Sequence, residues 1–182
     1  MTSSVADLRL HYRDHAGLVL LLMAAWGFGN LYEAVTVIPW LATLPPGSAA
    51  GQLEIGSPLF YFLPIAVCLL VLAWALVIRL VRGGADRVMP GSVRSAGTAA
   101  VLVTLAGVTT VMLVTTVNPA FHDTTATVDA VQTTLLIWEI GNALRMTLMA
   151  SAAVCLLAWR IRLADVAAVQ AGPSRVDGQG DR

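Results

Sequence analysis

The chain alternates between four long apolar stretches and short polar connections, and each stretch is long enough to form a helix that crosses a bilayer. They run from about Ala16 to Trp40, Leu59 to Ile78, Ala96 to Val117 and Gln132 to Trp159, against the roughly 20 mostly apolar residues that a hydrocarbon layer demands. The first follows a charged segment holding Asp7, Arg9, Arg13 and Asp14. It is too long for a secretory h-region and lacks a small-residue cleavage site, so it is expected to stay as a span. The pattern predicts an all-α fold, a four-transmembrane-helix bundle over 16–162. A cytoplasmic N-terminal segment 1–15 precedes it and a flexible cytoplasmic tail 163–182 follows, the part from Ala171 being expected to be disordered.

Composition removes the alternative of a soluble domain. With 57% hydrophobic and 12% charged residues over 182 positions, the chain is too apolar for a soluble protein of this size. The expected partner is the lipid bilayer rather than nucleic acid, and a homo-oligomer is compatible with the pattern. All eleven basic residues are arginine. Arg9 and Arg13 precede the first span, Arg79, Arg82, Arg87 and Arg94 lie between the second and third, and Arg160 and Arg162 follow the fourth. The connections Leu41 to Pro58 and Pro119 to Val131 hold none. By the positive-inside rule both termini and the middle loop are cytoplasmic, as in a multi-pass protein of the plasma membrane.

Five polar residues interrupt the first and last apolar stretches: Asn30, Glu33, Glu139, Asn142 and Arg145. A charge at that depth costs roughly 3 kcal/mol on insertion scales, and such groups usually face a bundle interior or a wet cavity. Glu33 comes late in an outward helix and Glu139 early in an inward one, so both are expected in the outer half. Arg145 would then lie about 9 Å deeper than Glu139, near the midplane, and Asn30 about 4.5 Å deeper than Glu33. Asn30 and Glu33 are three apart and share a face, while Glu139, Asn142 and Arg145 descend one side within about 120°. These spacings predict that Glu33, Glu139 and Arg145 meet in the interior.

The loops above that layer contribute turn chemistry. The first carries Pro45, Pro46 and Gly47, then Glu54 and Gly56, and ends in Ser57-Pro58, where proline suits a first helical turn. Asn118-Pro119 breaks the third helix and brings His122 and Asp123 to the outer mouth. A short echo links Val37-Ile38-Pro39 with Val117-Asn118-Pro119, and no repeat is rested on it. Gly83-Gly84 and Pro90-Gly91 make the middle loop a turn. Cys68 and Cys155 stand singly, without the spacing of a dithiol redox motif or a zinc site.

Metal binding is one chemistry these residues could support, beside plainer roles. Glu33, His122 and Glu139 would make a one-histidine, two-carboxylate set suited to a single iron or other transition metal. The plainer reading makes Arg145 and a glutamate a buried ion pair that fixes helix register, and Asn30 and Asn142 interhelical hydrogen bonds.

Asn30-Leu31-Tyr32-Glu33, Pro39, Leu44-Pro45-Pro46, Ser57-Pro58-Leu59-Phe60, Asn118-Pro119 and Trp138 with Asn142-Ala143-Leu144-Arg145 together resemble the small four-helix membrane proteins of the anthrone oxygenase-like family. The resemblance covers about Gly17 to Trp159, with Ser57 where the family pattern has asparagine and with Glu33 added. It implies oxidation of a flat, lipophilic, polyketide-like compound by dioxygen, with no cofactor required. Glu33 or Glu139 would then act as general base, Arg145 with Asn30 and Asn142 would stabilise the anion, and Trp138 and Asn118 would line the substrate site. Against this stands a small-solute or proton-coupled transporter, or an accessory membrane protein.

Overall fold

The computed structural model describes residues 5–45, 58–87 and 89–170, and among these the chain is all-helical. The helix α1 (Val5–Tyr32) passes into a π turn (Glu33–Val37) and the short α2 (Ile38–Ala42); α3 (Pro58–Arg82) returns. After a single 3-10 turn (Ala85–Arg87), α4 (Ser92–Met112) passes into a second π turn (Leu113–Val117) and a 3-10 turn (Asn118–His122), and α5 (Val128–Gln170) closes the bundle. Four helical stretches are long and apolar enough to cross a membrane: His11–Leu41, Phe62–Arg82, Ser92–His122 and Val128–Arg162. The protein is therefore a multi-pass membrane bundle. Helix extends from Val5 before the first span and to Gln170 after the last, so the boundaries expected at residues 15 and 163 fall inside helices.

Heptad seams hold the four helices together. Leu135, Trp138, Asn142, Arg145, Met149, Ala152, Leu156 and Trp159 are all buried and recur at alternating steps of three and four along α5. In α1 the same rhythm joins Tyr12, Ala16, Val19, Met23, Trp26 and Asn30, and in α3 Leu69, Ala73, Leu76 and Leu80. A 3.5-residue repeat keeps one stripe against its neighbours, as in left-handed packing near +20°. The α4 seam is mostly alanine, at positions 96, 99, 100 and 106. With lipid as apolar as any side chain, close approach of backbones is the main source of attraction, and small residues permit it.

One end of the bundle is tied by hydrogen bonds. Tyr12 donates to the Arg79 carbonyl at 3.4 Å, and Arg79 donates to His11 at 2.9 Å. Gly91, at φ 79°, supplies the left-handed residue before α4, whose second N–H is accepted by the Asp86 carboxylate at 3.0 Å. Trp159 donates to the Ser92 hydroxyl at 3.0 Å, and that hydroxyl donates to the Met89 carbonyl at 2.6 Å, all buried. Ser92→Ala is expected to cost about 1–3 kcal/mol, the usual penalty for a buried donor left unpaired. Thermal unfolding in detergent measures it.

The arginines give a ruler for depth. Arg13, Arg79, Arg94 and Arg160 lie at this tied end, and about 20 residues of helix, one hydrocarbon thickness, lead from them to Glu33, Leu59, Val114 and Ile140. Both π turns therefore fall at the far boundary. Arg145 lies five residues inside Ile140, about 7.5 Å at helical rise, and so is shallower than the midplane.

Candidate functional site

Two helices break their α register at the same end, each just before an X-Pro step. After α1 the Ile38 N–H reaches the Glu33 carbonyl, and after α4 the Asn118 N–H reaches the Leu113 carbonyl, both five residues back. Pro39 and Pro119 follow. Proline has no N–H and its ring presses on the carbonyl four residues earlier; a widened turn is one way a helix absorbs that conflict. The extra residue also shifts the seam, so that Ile38 rather than Val37 is buried. Such π bulges occur frequently at functional sites.

Glu33 opens the first π turn, and its carboxylate meets Arg145 across the bundle. The Arg145 Nη2 donates to Glu33 Oε2 at 2.7 Å, with the side chains 4% and 25% exposed respectively. One turn back along α5, Asn142 Oδ1 accepts from Arg145 Nε at 2.6 Å. The Asn142 amide also donates to the Asn30 carbonyl at 3.5 Å, a long bond. The guanidinium lies 5.3 Å from the centre of the Trp138 ring, within range of a cation–π attraction. Arg145 is thus held from three sides, while its Nη1 has no partner among the described residues.

These groups wall a cavity of about 50 Å³, room for about one or two water molecules at roughly 30 Å³ each. Trp26, Asn30 and Glu33 come from the first span, Phe62, Leu63 and Ala66 from α3, Thr110, Leu113, Val114 and Asn118 from the third span, and Trp138 and Arg145 from α5. Two glycines shape it. A β-carbon on Gly29 would sit 2.5 Å from the Phe62 ring, and one on Gly141 would sit 2.6 Å from Leu113. Phe62 and Leu113 therefore lie directly on neighbouring helix backbones.

Of the residues singled out in the sequence, Asn30, Glu33, Asn118, Trp138, Asn142 and Arg145 come together. Glu139 does not. It follows the seam residue Trp138 by one position, which turns it about 100° away, and it is exposed and makes no ion pair among the described residues. Near the far boundary water can solvate it, so its exposure costs little. Trp138, Asn142 and Arg145, at i, i+4 and i+7, fit one stripe better than Glu139, Asn142 and Arg145 do.

The proposed metal set Glu33, His122 and Glu139 is not assembled, and among the described residues no group of three His, Cys, Asp or Glu side chains could hold a metal ion. Asp123 serves its own turn. The Thr125 hydroxyl and then the Thr125 N–H donate to it at 2.6 and 2.8 Å, and these bonds hold its carboxyl below the usual range. Glu54 and Ser57 lie outside the described residues.

Phe62, Thr110, Leu113 and Val114 of the cavity wall carry no charge and were not marked by the sequence; the X-Pro echo was the one signal near two of them. Compared with family models, curated proteins and solved structures, the chain matches none. The likeness to anthrone oxygenase-like proteins therefore rests on the sequence motifs alone.

Proposed function

We propose that the protein is a membrane-embedded enzyme that takes a proton from a lipophilic small molecule in this cavity, the resulting carbanion or phenolate then reacting with dioxygen. One observation carries the reading: a carboxylate and a guanidinium paired at 2.7 Å wall the same small cavity, in the part of the bundle where both π turns lie. Glu33 has one carboxylate oxygen bonded to Arg145 and the other free of any protein partner among the described residues, as a general base requires. Arg145 supplies fixed positive charge beside it. Such a fixed charge stabilises a developing anion without the reorganisation that solvent would need. For a substrate methylene the balance is one CH2 and one O2 giving one C=O and one water. With the arginine-rich end cytoplasmic, the site faces the outer side of the plasma membrane.

The test is dioxygen uptake by the purified protein supplied with aromatic ketones that carry an acidic ring methylene. Saturable uptake above that of protein-free micelles is expected, and uptake equal to the micelle blank with every such ketone would refute the reading.

A small-solute or proton-coupled transporter is the second reading, and the paired π turns favour it. Proline-interrupted segments in corresponding positions of two halves mark substrate sites in transporters, and here they end the first helix of each hairpin. Proton movement into liposomes holding the protein, driven by a solute gradient, would select this reading over the first.

A further inference from the structure

Two polar atoms in the cavity lack a partner. Among the described residues Asn30 Nδ2 is a donor with nothing to donate to, on a residue only 3% exposed, and Asn118 Oδ1 is an acceptor with nothing to accept. Both residues line the same space, one from the first span and one from the third. Buried polar groups in native proteins are nearly always satisfied, by protein, water or ligand. As both line one cavity, this pair constrains the chemistry of what occupies it.

A single group that satisfies both must accept one hydrogen bond and donate another. A carbonyl, quinone or ether oxygen could satisfy Asn30 and would leave Asn118 bare, whereas an ammonium group would do the reverse. A hydroxyl oxygen does both. The remaining wall on α3 is apolar, formed by Phe62, Leu63 and Ala66, and Leu63 is half exposed on the outer surface of the bundle. With about 50 Å³ available, the space fits a head group and the edge of a ring, the rest of the molecule passing Leu63 toward lipid.

We propose that the Asn30 and Asn118 amides form a subsite for the hydroxyl oxygen of a lipophilic alcohol or phenol. This deepens the functional reading above by naming the head group of its substrate, and it rests on the same cavity without depending on the proton transfer. A water molecule shares the chemistry and would fill the subsite only when no such ligand is bound.

The experiment is tryptophan fluorescence of the intact protein in detergent micelles, since Trp26 and Trp138 line the cavity. The protein is titrated with para-tert-butylphenol and separately with its methyl ether, each corrected against protein-free micelles. The phenol is expected to bind about tenfold tighter or more, because the ether leaves the Asn118 acceptor unpaired. Asn118→Leu should erase that preference. Equal binding of phenol and ether by the unaltered protein would overturn the proposal and mark the subsite as a water site only. A preference that survives intact in both Asn30→Leu and Asn118→Leu would also overturn it. Phenol preference without dioxygen uptake would sink the catalytic reading and sustain the subsite, whereas uptake without phenol preference would do the opposite.

Discussion

Replacing Glu33 by leucine is expected to destabilise the bundle by about 3–5 kcal/mol, and replacing Arg145 by leucine to cost clearly less. The two losses differ because the partners are unequally buried, with side-chain exposures of 4% for Arg145 and 25% for Glu33. Without Glu33 the guanidinium keeps its charge, since arginine does not deprotonate in proteins, and it has only Asn142 and the Trp138 ring to offset burial. Without Arg145 the carboxylate, on a side chain 25% exposed, still has access to water. The double substitution should recover part of the loss, because an apolar pair of similar volume often replaces a buried ion pair at little cost. Unfolding in detergent gives the order directly, and an Arg145 variant less stable than the Glu33 variant would show that the burial ranking is wrong.

Turnover by Glu33→Gln is expected to fall about 100-fold or more, the scale of general-base loss, while Glu139→Gln stays at the level of the unaltered protein. Glutamine keeps size and the hydrogen bond to Arg145, so folding is preserved while basicity goes. Glu139 faces away from the cavity and supplies no proton acceptor there. Arg145→Lys should also lose activity, because an ammonium lacks the planar fork that bonds Glu33 and Asn142 at once. Dioxygen uptake by the three variants decides the matter; activity that persists in Glu33→Gln and vanishes in Glu139→Gln would transfer the role of base to the exposed carboxylate.

The four spans were legible because burial in lipid demands long apolar runs, and the residues that break those runs had to be accounted for inside the bundle. Asn30, Glu33, Asn142 and Arg145 were found that way. Glu139 was misplaced because a 120° arc on a helical wheel is too wide to separate seam from surface, and the true stripe through Trp138 is narrower. Its depth misled as well, since a carboxylate near the boundary can remain in contact with water. The π turns left only the trace of two matching X-Pro steps, for a bulge depends on how the chain resolves a steric conflict. Phe62 and Leu113 were invisible for another reason: their positions follow from Gly29 and Gly141 on neighbouring helices, a contact that no spacing along one helix encodes.

The pairing of Glu33 with Arg145 is tested most directly by double-mutant cycles for unfolding, with leucine at both positions and a parallel cycle for Glu139 and Arg145. A coupling of about 2–3 kcal/mol is predicted between Glu33 and Arg145, and additivity within about 0.5 kcal/mol between Glu139 and Arg145. Additive effects at Glu33 and Arg145, or strong coupling at Glu139 and Arg145, would contradict the site.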